Sequence, residues 1–253
     1  MKLSKNIKDR IPAIIIVALI LVIWQVAAVL VNMPHILPSP TAIIMKIWSL
    51  RESLFLHHMP TTLLTIVSGW SLSIVIGVLL ALMMHFSEAM KAMISPVLIV
   101  TQTVPVMCIS PLFVIWFGYT LEARLIAVVL STFFSIALNT LSGFESADKK
   151  KAEWMQTCGA SRFQIFMKLE IPSTLPKFMT ALKMTLPWAV IDAAVAEWLG
   201  ATEGLGYFSK RMISKMDGAA VFAPVVILCV LALIGMSILK YIEKKYVTWR
   251  SEV

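Results

Sequence analysis

Residues 145–177 read ESADKKKAEWMQTCGASRFQIFMKLEIPSTLPK, and they separate two runs of a different character, LIAVVLSTFFSIALNTLSGF at 125–144 and MTALKMTLPWAVIDAAVAEWL at 179–199. Each flanking run is about as long as the roughly 20 helical residues that cross a bilayer's hydrocarbon core. The stretch between them is too charged to cross. The three segments therefore read as two transmembrane helices joined by a polar loop on one side of a membrane.

The same pattern repeats along the chain. Apolar runs at 11–31, 61–84, 93–117 and 221–242 bring the expected total to about six spans. Composition agrees: 59% of the 253 residues are hydrophobic and 14% charged, against roughly half and a quarter in soluble domains. The first run lacks the small-residue cleavage site of a secretory signal and continues into Asn32-Met33-Pro34, so it reads as a retained helix. The expected fold is an all-α polytopic membrane protein, a single transmembrane domain over residues 1–253.

Charge orients it. The formal charge is +8, but the basic residues lie in the gaps between apolar runs, where lipid headgroups and a cytoplasmic protein are the expected partners and nucleic acid is not. Lys and Arg accumulate on the cytoplasmic side of membrane proteins. With the N-terminus inside, sixteen of the 22 basic residues fall on inner segments, and only Lys46, Arg51, Arg124, Lys210, Arg211 and Lys215 fall outside. Both termini and the 145–177 loop are accordingly predicted to be cytoplasmic.

Catalytic signatures are missing from the sequence. There is no GxxxxGK[ST] phosphate loop, GxSxG or HExxH, so ATP hydrolysis, if used, belongs to a partner. His57 and His58 are adjacent, which on a helix turns them about 100° apart and spoils shared ligation. Cys108, Cys158 and Cys229 are dispersed and form no CxxC pair, which argues against a disulfide framework or zinc site. No catalytic residue, metal or cofactor is expected.

Polar residues inside apolar runs are the candidates for a solute path. Pro96, Pro105 and Pro111 each remove a backbone hydrogen bond from the third span. That span reads as a kinked packing helix, as a cavity-lining helix with Thr101, Gln102 and Thr103 beside Pro105, or as both. Asp192 and Glu197 fall in the fifth run, where a carboxylate costs a few kcal/mol. They border a solute path or dimer seam, or Glu197 instead accepts hydrogen bonds from the 200–206 turn. Trp116, Trp188 and Trp198 read as interfacial aromatics, with stacking on a flat solute as the alternative.

Within the loop, Ser146 or Asp148 can cap a helix running to about Cys158, Gly159 can supply a turn, and Ser161-Arg162-Phe163-Gln164 fits a capping box that restarts a helix. Leu169-Glu170-Ile171-Pro172 should end it, because the residue before proline disfavours helix. The expected product is two short amphipathic helices joined at a glycine, projecting Trp154, Met155, Phe163 and Phe166 from a basic surface. Such a surface suits a protein groove or a membrane face.

These residues also carry a resemblance. Glu153-Trp154-Met155, Gly159 and Leu169-Glu170-Ile171-Pro172 match the spacing of the EAA loop of bacterial ABC importer permeases, with Trp154 and Met155 in place of two alanines. Leu37-Pro38-Ser39-Pro40, Pro111-Leu112-Phe113, Trp116-Phe117-Gly118, Gly159-Ala160-Ser161, Ala196-Glu197-Trp198-Leu199-Gly200 and Gly204-Leu205-Gly206-Tyr207 resemble the branch importing nitrate, sulfonates, taurine, riboflavin or thiamin-precursor pyrimidines.

The resemblance implies a type I importer permease fold with a cytoplasmic coupling helix and a core region of about residues 57–242, in a bacterial inner membrane. It implies a homodimer or paired permease, two cytoplasmic ABC ATPase subunits and an extracytoplasmic solute-binding protein. Glu153, Gly159, Ala160 and Ser161, with Pro172 closing the motif, would form the ATPase-coupling loop. Gly204 through Phe208 with Arg211-Met212 is most similar to the thiamin-precursor branch, which implies a pyrimidine cargo, with sulfonate, taurine, nitrate or riboflavin as alternatives. Two other classes are an ion-coupled secondary transporter using Asp192 and Glu197, and an intramembrane enzyme, the latter disfavoured because no nucleophile and base pair up.

Overall fold

Backbone amides and carbonyls have no solvent in hydrocarbon, so long apolar runs close their hydrogen bonds within themselves as helices. The computed structural model describes residues 11–247, and those residues are helical apart from short connections. Lys2, Lys5, Lys8, Arg10 and Arg250, which contribute to the charge argument, lie outside the described residues.

Helices α1 (Ile11–Val31) and α2 (Pro40–Ser49) come first. A π-helical stretch, Glu52–His58, runs directly into α3 (Met59–Phe86). Next are α4 (Glu88–Thr103), α5 (Val106–Phe117) and α6 (Leu121–Glu145). The loop then supplies α7 (Lys149–Thr157) and the single turn α8 (Arg162–Ile165). A second π stretch, Phe166–Glu170, leads into α9 (Ile171–Gly200), followed by α10 (Leu205–Ile213) and α11 (Gly218–Tyr246). Five of these helical runs are long and apolar enough to cross a membrane, and α4 with α5 makes a sixth if the bent pair is one span.

Two expectations are corrected. The third span is not one kinked helix: α4 and α5 meet at 96°. Val104 is extended (φ −82°, ψ 118°) and Pro105 follows (φ −70°, ψ 109°), because the proline ring disfavours helical backbone at the residue before it and Pro105 offers no amide. At Leu169-Glu170-Ile171-Pro172 the opposite happens, and the helix does not end. It continues from Arg162 to Gly200, because the chain widens ahead of Pro172 and the Ile171 amide reaches five residues back to the Phe166 carbonyl. The other π stretch does the same ahead of Pro60, with the Met59 amide bonded to Leu54. A π turn before a proline relieves the ring's clash with the carbonyl four residues earlier.

Helices α3, α6 and α9 form the centre. Gly69, Ser73, Gly77 and Ala81, every fourth residue of α3, are all buried. Gly69 lies on Val128 and Gly77 on Ile136, and the Thr132 hydroxyl donates to Ser73 Oγ at 2.7 Å. Small residues on one stripe let two backbones approach closely, which is how helices associate where lipid removes the hydrophobic drive. Trp70 Nε1 donates to Thr185 Oγ1 at 3.0 Å and ties α3 to α9. Helix α1 stays peripheral, its apolar side chains largely exposed for lipid. It is held by Gln25, which accepts from the Thr41 hydroxyl at 3.3 Å, and by Trp24 against Phe222.

Candidate functional site

Three regions concentrate the polar and strained features. The first is the loop. Asp148 accepts from the Lys150 amide at 3.0 Å and starts α7. Gly159 takes φ +83°, a left-handed turn that side-chain-bearing residues adopt at a cost. Ser161 and Gln164 then form a reciprocal capping box, the Ser161 amide to Gln164 Oε1 at 2.8 Å and the Gln164 amide to Ser161 Oγ at 3.3 Å. Glu153, Gly159 and Ser161 are exposed and Ala160 half-buried. Trp154 and Phe163 are 68% and 71% exposed. Phe166 departs from the expected outward set: it turns inward between Phe86 and Phe144, because the π stretch rotates the chain onto the ends of α3 and α6.

Where the loop rejoins the membrane helices, His85 Nε2 lies 2.7 Å from Glu170 Oε2. The His85 ring stacks on Phe144 at 4.8 Å. Lys91 Nζ reaches Glu145 at 2.5 Å beside it. Pro172 is half-buried just beyond.

The second region is a cleft of about 530 Å³ at the α4/α5 break, where α6 and α9 also contribute. Gln102, Ser131, Trp188 and Asp192 line it. The break at Pro105 opens the cleft, and the 3.6-residue period brings Trp188 and Asp192 onto one face of α9. Thr103 is on the adjacent exposed surface, its hydroxyl donating to the Val100 carbonyl at 2.8 Å. Glu197 is not in this cleft.

Glu197 belongs to the third region and is fully buried. Its Oε2 accepts from the Gly206 amide at 3.0 Å and from the Thr62 hydroxyl at 2.9 Å. Thr62 Oγ1 in turn accepts from the Leu205 amide at 2.8 Å, and His58 Nδ1 accepts from the Gly204 amide at 3.2 Å. Three successive amides at the start of α10, groups no helix satisfies internally, are thus capped by side chains of α3, its π stretch and α9. Arg124 Nη1 stands 4.0 Å from Glu197 Oε1. Gly204 adopts φ +115°, and a Cβ on it would overlap the Glu197 carboxylate, as one on Gly206 would overlap the Ala194 carbonyl.

The structure therefore brings Gln102 and Asp192 together, leaves Thr103 beside them, and sets Glu197 into a turn clamp. His58, Thr62, Arg124, His85 and Glu170 were not singled out from the sequence. Their signal was present for the first three as polar residues within or at the edge of apolar runs, but pairing them needs contacts far apart in sequence, 146 residues for His58 with Gly204 and 135 for Thr62 with Glu197.

This arrangement, helical spans around a broken helix with a capped exposed loop, is that of a membrane transport subunit. Residues 73–248 match the family described as binding-protein-dependent transport system inner membrane component, and the chain belongs to it. It is a non-catalytic, multi-pass subunit of the inner membrane, of an ABC importer whose ATPase and binding-protein partners are separate. The chain is 45% identical over 234 residues, 92% of its length and 94% of the relative's, to the formylaminopyrimidine transport permease protein ThiX of Halalkalibacterium halodurans. It is 27% identical, over 92% of the chain and 88% of the relative, to the riboflavin transport system permease protein RibX of Chloroflexus aurantiacus. A bacterial alginate ABC transporter bound to its periplasmic protein superposes over 100% of both chains with TM-score 0.65 at 14% identity, a likeness of fold.

Proposed function

We propose that two copies of this chain form the membrane path of an ATP-driven importer for a small aminopyrimidine delivered by an extracytoplasmic binding protein. The single observation carrying the cargo is the 45% identity, along 92% of the chain, to a formylaminopyrimidine transport permease. The cleft bearing Gln102 and Asp192 is the path in this reading, with Thr103 at its edge. Glu197 serves it indirectly by fixing the start of α10.

Residues 145–177 are the coupling loop of a single permease domain and face the cytoplasm, as do both termini. Supporting this are the basic residues on the loop and the exposure of Trp154 and Phe163, an apolar pair with no cover of its own. Glu153, Gly159, Ala160 and Ser161 meet the ATPase there, and Pro172 carries the motion onward into α9.

Reconstitution of the chain with its ATPase and binding protein in proteoliposomes tests the proposal. ATP-dependent accumulation of labelled formylaminopyrimidine is expected. Equal accumulation by the chain alone, driven by an ion gradient, overturns it. For orientation, a cysteine introduced at Ala160 is expected to resist an impermeant thiol reagent in intact cells.

A further inference from the structure

We infer that Asp192 is a specificity residue: it accepts hydrogen bonds from the amino edge of an aminopyrimidine while Trp188 stacks on the ring, and it rejects anionic cargo from the cleft. This deepens the importer reading above and rests on it.

Among the described residues lining the cleft there is one ionisable side chain, Asp192, and no Lys, Arg or His. A second copy of the chain adds the same residues from its own cleft and so brings no cation from that source. A sulfonate or nitrate entering this space would leave water to stand beside a like charge, with nothing of opposite sign to offset the loss. A neutral or cationic solute meets no such barrier.

Next comes hydrogen bonding. Asp192 is half-buried and lines the cleft, and its Oδ2 is buried with no partner among the described residues; the Ser131 hydroxyl on the same wall donates to the Val128 carbonyl at 2.9 Å. A carboxylate on the cleft wall with so little of its acceptor capacity used fits a ligand that donates. Aspartate and glutamate accept from the exocyclic amine of cytosine, itself a 4-aminopyrimidine, and a carboxylate bond of this kind is among the stronger ones. Gln102, with donor and acceptor on one amide, suits a ring nitrogen or a formamide.

Trp188 lies one helical turn before Asp192 and is 59% exposed on the same face, so its ring and the carboxylate border one space. Aromatic side chains stack on bases without distinguishing among them. Trp188 supplies affinity for a flat ring, and Asp192 chooses which flat ring.

The test uses the complete importer in proteoliposomes, as wild type, Asp192→Asn and Asp192→Glu, with labelled formylaminopyrimidine and labelled ethanesulfonate, an anion without an amine. Binding to the purified permease without its binding protein is also measured, by saturation-transfer NMR, for 4-aminopyrimidine and for pyrimidine lacking the amine. Expected are pyrimidine uptake but no ethanesulfonate uptake by wild type, about tenfold or greater loss in Asp192→Asn, and partial retention in Asp192→Glu. Wild type is expected to prefer the amino compound, and Asp192→Asn to lose that preference while still binding the deamino ring. The NMR preference separates recognition from a general loss of fold. Wild-type pyrimidine uptake left unchanged by Asp192→Asn overturns the inference and leaves the importer reading standing. Ethanesulfonate uptake in place of pyrimidine by wild type overturns both.

Discussion

His85 on α3 and Glu170 in the second π stretch form a hydrogen-bonded contact of 2.7 Å, and through it the segment that follows the exposed loop is pinned to the membrane helices. Phe144 and Phe166 stack against the same imidazole, so the contact is packed as well as hydrogen-bonded. This joint links the loop to α3, and the Lys177 ammonium donates to the Ser142 carbonyl of α6 at 2.8 Å. His85→Ala is expected to lower uptake per ATP hydrolysed by about fivefold or more, within the usual range of coupling free energies. Measuring hydrolysis and uptake in the same proteoliposomes checks it, and an unchanged ratio removes the joint from the coupling route.

At Gly159 no atom lies within 4 Å of an added Cβ, so a side chain there meets no obstacle and the cost of substitution is conformational alone. Valine at φ +83° is disfavoured by about 1–2 kcal/mol or more, enough to shift the turn. Gly159→Val should hydrolyse ATP with little uptake, and Gly159→Asn, which tolerates left-handed backbone, should retain most of it. Parallel uptake assays of the two variants distinguish a requirement for conformation from one for small size.

The clamp around Glu197 makes a stability prediction. Glu197→Ala leaves the Gly206 amide and the Thr62 hydroxyl without their buried acceptor and Arg124 without its nearby counter-charge, and breaking such a group from one side costs about 3–5 kcal/mol. Glu197→Gln keeps an oxygen for the amide and should lose clearly less. Thermal unfolding midpoints in detergent should fall in the order wild type, Gln, Ala. A Glu197→Ala midpoint equal to wild type contradicts the clamp.

Outside the spans, Asp217 offers a pH readout. Burial disfavours its carboxylate, but the Lys46 ammonium and the Ala220 amide outweigh that and hold the carboxyl below its ordinary range. A depressed native value contributes stability above the unfolded pKa of about 3.9, lost as pH falls through the native one. Lys46→Ala should therefore bring acid destabilisation to a higher pH, read as a shifted midpoint in acid titration of tryptophan fluorescence.

Much of this was legible from local sequence. Asp148, Gly159 and the Ser161–Gln164 box are decided within a few residues, and each is formed where spacing indicates. Pro105 and Pro172 show the limit. Both remove an amide, yet one breaks its helix by 96° and the other is absorbed in a π turn. The difference lies in tertiary support: Phe166 and Glu170 pack on Phe144 and His85, whereas the break at Val104 is exposed. Likewise Glu197 and Asp192, five positions apart in one run, look alike in sequence. Only the return of Gly204 to Gly206 against Thr62 separates a structural carboxylate from one facing a cleft.

The sharp corner between α4 and α5 constrains what covers it. Around Val104 and Pro105 the last carbonyls of one helix and the first amides of the next lack intrahelical mates, and mending is partial, as where the Thr103 hydroxyl donates to the Val100 carbonyl. Acyl chains cannot hydrate such groups. The corner must therefore rest against water, as the cleft lined by Val104 and Pro105 allows, or against another polypeptide.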